Sequence, residues 1–281
     1  IGDGHESPFS KPVDTAAFRI LQLRIAERSD EKLVRPIVAQ ALKEADAREP
    51  GDVAAEFFDF LFLWQLLREG DASRSIAEIV DLGSRFVSLG DRVRDRFRAI
   101  DEQNEETIDW PDFTRLLALS FIPAVNDADR LEELADLLAD CDLETRSLIL
   151  QGYGGELDGA TLALDRVWIG EAGRPDPDWR RLTCLLERIV RMATEGGVGA
   201  LATAAATLRI RVTDENLSNP PAALELSNEM LGELGRAPRI LAAKAKVLWR
   251  SGQAQDALAQ VVTRAKVEVA GEFGDKQFLV R

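Results

Sequence analysis

Histidine is almost missing from this chain. The only one, His5, stands alone in a polar leader, so a Cys/His zinc site, a His-x-x-x-His pair and a histidine-dependent triad all lack their parts. Cysteine is nearly as scarce. Cys141 and Cys184 lie far apart, without a Cys-x-x-Cys companion and within apolar helical patterns, which predicts buried free thiols and, through them, a reducing, cytoplasmic setting. The phosphate-cradling pattern Gly-x-x-x-x-Gly-Lys-Ser/Thr is also absent. No cofactor and no metal are expected.

No run reaches the roughly 20 apolar residues that a membrane-spanning helix needs. The best candidate, Phe57 to Leu67, is short and interrupted by Asp59 and Gln65, so it reads as a deeply buried helix. The chain opens at Ile1 with no basic, then apolar, targeting pattern, and is read as a trimmed chain or a segment of a longer protein. Basic charge is outweighed: 35 Lys and Arg face 49 Asp and Glu, for a net charge of -14. Such a mean field repels phosphate backbones and anionic lipid surfaces, so neither nucleic acid nor membrane is an expected partner.

What is present favours helix. Of 281 residues, 46% are hydrophobic and 30% charged, with only 11 Pro and a single Tyr, and Ala, Leu, Arg and Glu recur throughout. Arg outnumbers Lys 28 to 7, a bias that points to a GC-rich, bacterial genome. Apolar residues at i, i+3, i+4 and i+7 mark about fourteen helices, each roughly 12 to 18 residues long and joined by short turns.

The first helices follow Phe18, Leu21 and Ile25, then Val34 to Ala45, then Phe57 to Leu67. A stripe from Ile76 to Val87 is expected to stop at Gly90, and Val93, Phe97 and Ile100 carry a separate charged helix into an acidic loop, Asp101 to Glu106. Further helices are expected over Asp109 to Ile122, Asn126 to Asp140, Asp142 to Gln151 and Glu156 to Ile169. Asp176-Pro177 starts another, with Leu182, Leu185, Leu186 and Ile189 as its buried face, and Gly196-Gly197 ends it. Asn219-Pro220-Pro221 repeats the cap-and-proline device before Leu224, Leu231 and Leu234. Arg209 to Thr213 and a tail from Gln277 to Val280 are the only β-like pieces.

Ala223 and Ala257 hold matching places in Pro-Ala-Ala-Leu and Gln-Asp-Ala-Leu, 34 residues apart. Within Pro238 to Lys266, Leu241, Ala245 and Leu248 fill one helix's buried face, Gly252 makes the turn, and Ala257, Leu258 and Val261 fill the next. This stretch, 219–267, resembles the tetratricopeptide-repeat family, whose helix pairs stack at that period. It departs from the family pattern at Lys244 and Arg264. The resemblance implies an all-α fold of antiparallel helix pairs stacked as an α-solenoid: a leader over 1–12, a helical array or bundle over 13–195, tetratricopeptide-like repeats over 196–270 and a tail over 271–281.

Glycine-rich Gly152 to Gly159 lacks the third glycine of a dinucleotide loop and follows no strand, so it is read as an interhelix turn. Glu132, Glu133, Asp136, Asp140 and Asp142 lack the ligand alternation of a calcium loop and are read as a solvated helix face. Arg92, Arg94, Arg96 and Arg98 alternate with acids and are expected to form intrahelical pairs.

One basic feature is sharper. Arg239, Lys246 and Arg250 fall on one helix face, left open by Ala243. In the family this chain resembles, that side lines a groove for a peptide, which implies that the three hold an acidic segment or a C-terminal carboxylate. The expected function is a protein–protein interaction module, not an enzyme: the scaffold or sensor part of a larger protein, binding a protein or peptide. The alternatives are an all-helical enzyme with a carboxylate pair in a buried pocket, or an oligomerisation domain with Phe57 to Leu67 between subunits.

Overall fold

The computed structural model describes residues 75–100, 121–122 and 124–277, with isolated positions 36, 40, 43 and 63; its side chains are described for 75–89 and up to 267. The leader with His5, the helices expected before Ser75 apart from those single positions, the side chains of Arg92 to Arg98, the loop Asp101 to Glu106 and the tail after Gln277 lie outside the described residues. Leu63, within the apolar Phe57 to Leu67 run, is helical and buried.

The described residues form nine α-helices and one π-helical segment, with no strand among them. The helices are α1 (Ile76–Ile100), α2 (Ala128–Ala139), α3 (Leu143–Gly154), α4 (Leu157–Ala172), α5 (Trp179–Glu195), α6 (Gly199–Arg211), α7 (Pro220–Glu233), α8 (Pro238–Arg250) and α9 (Ala254–Gln277). The π segment, Val212–Asn216, lies between α6 and α7. The chain divides into two compact units, Ile1–Gly70 with Asp81–Asp112, and Asp71–Val80 with Phe113–Arg281. Helices α2 to α9 belong to the second.

Local chemistry sets the helix edges. Ser75 and Glu78 form a reciprocal capping box at the start of α1: the Ser75 Oγ accepts from the Glu78 amide at 3.2 Å, and the Glu78 carboxylate accepts from the Ser75 amide at 3.0 Å. Asp127, Asp142, Asp178 and Asn219 accept from backbone amides at the starts of α2, α3, α5 and α7. At the other end of α2, Arg146 reaches over from α3 and donates to the carbonyls of Leu138 (2.9 Å) and Cys141 (3.1 Å), tying the helix end to the turn that follows it. Gly197, at φ +71, supplies the left-handed residue that ends α5.

The second unit packs around α6. Its sequence is Ala-rich, and Leu201, Ala202, Ala204, Ala205, Ala206, Leu208 and Ile210 are all buried, leaving Thr203, Thr207 and Arg211 as a narrow half-buried polar stripe. It touches α3, α4, α5, α7, α8 and the π segment. Helix α5 is the opposite case: Leu182, Leu185, Leu186 and Ile189 go inward, as expected, while Arg180, Glu187 and Arg191 stay outside. Helices α2, α4, α6 and α8 meet in succession, each with the next of the four, and α8 packs on both α7 and α9.

Several expectations are corrected. The stripe does not break at Gly90; α1 runs unbroken to Ile100. Arg209 to Thr213 is not a strand, because α6 continues to Arg211 and passes directly into the π segment. Asp178, not Asp176, caps α5. The buried face of α7 is Ala223, Leu226, Ser227 and Met230, with Leu224, Leu231 and Leu234 only half-buried. Ala257 is buried, but Leu258 and Val261 face solvent, 64% and 51% exposed. Gly152 and Gly154 lie inside α3 and are buried, so the turn there shrinks to Gly155 and Glu156. The cysteines are not both buried: Cys141 is half-buried and Cys184 exposed.

Candidate functional site

The π segment arises where an Ala-rich helix runs into Val212, Thr213 and an acid pair. Its wider turn is closed by the Leu217 amide donating to the Val212 carbonyl at 3.0 Å, and the Asn219 amide donates to the Thr213 carbonyl at 3.1 Å. Trp168, on α4, fixes it from the side: its indole N–H donates to the Asn216 side-chain oxygen at 3.2 Å. The Arg211 guanidinium lies over the same indole, 4.0 Å from the ring centroid, a cation–π contact. Local π turns of this kind are over-represented at functional sites.

A pocket of about 840 Å³ opens between α6, the π segment, α8 and the first turn of α4. Small side chains make room for it, chiefly Ala242 and Ala243 on α8, with Thr203 and Thr207 on α6. Four cations line it, Arg211, Arg239, Lys246 and Arg264, against two carboxylates, Asp214 and Glu215. In a chain of net charge -14 this is a local reversal of sign.

Two of the three residues expected to form an anion site, Arg239 and Lys246, therefore line one pocket, and Ala243 lies between them as expected. Arg250 lies outside its lining and holds Asp214 in place, its Nη1 donating to Asp214 Oδ2 at 2.9 Å. All three are already engaged by the chain's own acids. Arg239 pairs with Asp158, at the start of α4 and 93% exposed, and Lys246 pairs with Glu215 at 2.6 Å.

Glu215 is shared. Arg211 Nε reaches it at 3.3 Å from one side, and Arg250 Nη1 lies 3.5 Å from it on another. Burial acts to raise its pKa, but the contacts with Lys246 and Arg211 outweigh burial and hold its carboxyl below the ordinary glutamate range. Asp214 is served less fully. Its side chain is only 3% exposed, and no protein donor among the described residues reaches Oδ1.

A second charged set behaves differently. Asp129, Glu132 and Asp136, on α2, meet Arg181 and Arg188, on α5, and Arg174 just before it. Arg181 bridges Asp129 and Glu132, Arg188 reaches Asp136 at 2.7 Å, and Arg174 reaches Asp129 at 3.0 Å. The acidic face of α2 stays largely open to solvent, as expected, and also forms an interhelix seam. The hydrogen bond from Arg181 is the largest influence on Asp129 and holds its pKa below the usual aspartate value, while Asp129 in turn helps to raise that of Arg174. Buried Glu171 completes the corner by accepting from the Asp178 amide at 2.6 Å and from Arg174 at 3.3 Å.

Among the described residues no three His, Cys, Asp or Glu side chains are grouped to hold a metal ion, and no helix is long and apolar enough to cross a membrane. Tyr153 is fully buried, its hydroxyl has no partner among the described residues, and burial pushes its pKa up. A buried phenol of this kind adds bulk to the core and faces no opening described above. The chain matches no family model, no curated protein and no solved structure.

Proposed function

We propose that the chain is a protein-interaction module whose pocket between α6, the π segment and α8 receives an acidic segment of another polypeptide. The observation that carries this reading is the convergence of Arg211, Arg239, Lys246 and Arg264 on one cavity of a strongly acidic chain. The volume suits a few residues of extended peptide. The resident pair between Arg239 and fully exposed Asp158 marks where an incoming carboxylate sits, and an exposed pair of this kind is worth little, so exchanging one carboxylate for another costs little. Successive contact along α2, α4, α6 and α8 supports the finer reading of stacked antiparallel pairs, a tetratricopeptide-like α-solenoid, in which binding surface grows with each added pair. A carboxyl acting as a general acid near neutral pH needs a raised pKa; Glu215, in this pocket, is shifted the other way.

The test is calorimetric titration of the whole chain with N-acetyl hexaglutamate amide. Binding is expected to weaken with added salt, to be absent for hexalysine, and to be lost in the Arg239→Glu/Lys246→Glu variant, with circular dichroism confirming that the variant is folded. No binding, or equal binding by that variant, refutes the reading.

A second reading, self-association, is favoured by a separate observation. Trp249 on α8 and Leu258, Val261 and Val262 on α9 are 47% to 68% exposed, and α8 and α9 pack against each other. Light scattering over a hundredfold concentration range checks it: a mass that stays monomeric, or that Trp249→Ser leaves unchanged, removes this reading.

A further inference from the structure

The pocket holds one acceptor that the acidic-peptide reading leaves unused. Asp214 comes from the π segment and is almost wholly buried, with its side chain 3% exposed. A carboxylate offers about four acceptor positions on two oxygens. Oδ2 takes the Arg250 guanidinium at 2.9 Å, while Oδ1 is buried and reached by no protein donor among the described residues. Leaving a buried charged oxygen without a donor is costly, so such positions in folded chains are commonly completed by something that binds there.

The donors around it are committed elsewhere. Arg211 is stacked on Trp168 and bonded to Asp165 and Glu215. Lys246 is bonded to Glu215, and the Thr207 hydroxyl donates to the Thr203 carbonyl at 2.7 Å. Asp214 belongs to the pocket lining, with Oδ1 itself shielded from water, so a ligand that enters meets the cations and reaches this acceptor by turning the Asp214 side chain toward it.

We propose that Asp214 makes the pocket selective for anions that also carry an N–H donor, so that it takes a carboxylate-bearing peptide backbone and discriminates against simple polyanions. This rests on the acidic-peptide reading and adds to it a requirement that charge alone does not impose. An extended peptide meets both demands at once: an acidic side chain answers Arg239 or Lys246, and a backbone amide one or two residues away donates to Asp214 Oδ1. Polycarboxylates, ionised at neutral pH, offer the first group and lack the second. A hydrogen bond to a charged acceptor in a dehydrated site is strong enough to separate the two classes by about tenfold.

The experiment compares two probes of equal charge by calorimetry on the whole chain: N-acetyl hexaglutamate amide, and the same peptide with every backbone nitrogen methylated. The wild type is expected to bind the first about tenfold more tightly. Asp214→Leu removes the acceptor and is expected to bring the two within about twofold of each other while still binding both. Asp214→Asn, which keeps the size and is gentler on the fold, is expected to cut the preference to about threefold. A merely structural role for Asp214 would weaken both probes alike and leave their ratio unmoved. Equal binding of the probes by the wild type, or an unchanged ratio in both variants, overturns the proposal while the acidic-peptide reading stands. Failure of the wild type to bind either probe overturns both.

Discussion

The seam between α2 and α5 and the rim of the pocket use the same chemistry to different ends. Both set arginines against carboxylates across helices. On the seam the partners are spread along two helices at matching spacing, Asp129, Glu132 and Asp136 against Arg181 and Arg188, and every member is at least 31% exposed. At the rim, Asp214 is 3% exposed and only one of its oxygens is served. The seam is a set of charges that water helps to solvate throughout, whereas at the rim protein has displaced water from Asp214 while Lys246 and Arg250 stay open to it. Their count of ion pairs is similar; their cost when disturbed is not.

Four experiments break or sharpen that contrast. The largest effect is expected from Arg250→Leu, which leaves Asp214 with no partner on either oxygen. Breaking a buried pair in this way costs several kcal/mol, and with Arg250 itself 45% exposed the expected loss is about 2–3 kcal/mol. Differential scanning calorimetry should show the transition falling by roughly 5–10 °C, and the double variant with Asp214→Asn should regain most of it.

Next comes Gly170→Ala, aimed at the support of the seam. A Cβ at Gly170 would stand 2.1 Å from the Asn126 carbonyl oxygen, so the segment leading into α2 must move, at about 1–3 kcal/mol; chemical denaturation with an unchanged slope would measure it. Arg181→Ala should cost less, no more than about 1 kcal/mol, because its partners are half-solvated. A loss from Arg181→Ala as large as that from Arg250→Leu would erase the distinction between the two regions.

The smallest effect is in pH. The Asp129, Asp142 and Glu215 carboxyls are all held below their ordinary values. Their contribution is therefore fully present above the unfolded pKa of about 4 and is lost as pH falls through the lower folded values. Urea midpoints should be flat from pH 7 to 5 and decline below about 4, and Arg181→Ala should make that decline shallower by removing the main cause of Asp129's shift.

Much of the helical frame was legible because its signals are local. Asp142 and Asn219-Pro220 mark helix starts, Gly197 marks a stop, and the spacing of Leu182, Leu185, Leu186 and Ile189 states which face of α5 is buried. What escaped depends on the register between helices. The acids of α2 are solvated, as read, but their pairing with Arg181 and Arg188 shows only when α5 is laid beside them. Val212 and Thr213, with Ile210, read as a strand because β-branched residues prefer one, yet Trp168, 48 residues away, holds their neighbour Asn216 in a π turn. The one signal available was Arg211 and Glu215, a helical i,i+4 pair inside the supposed strand. That Lys246 and Arg239 share one helix face was legible from their spacing; that Asp214 lines the same pocket was hidden by the misreading of its segment.

Trp168 has one more consequence. Its indole is stacked beneath Arg211 and hydrogen-bonded to the segment that carries Asp214 and Glu215, so any occupant that draws Arg211 away changes the electronic surroundings of the ring. With Trp64, Trp110, Trp179 and Trp249 replaced by Phe, the remaining indole is a native fluorophore at the rim, and its emission registers occupancy with no attached dye.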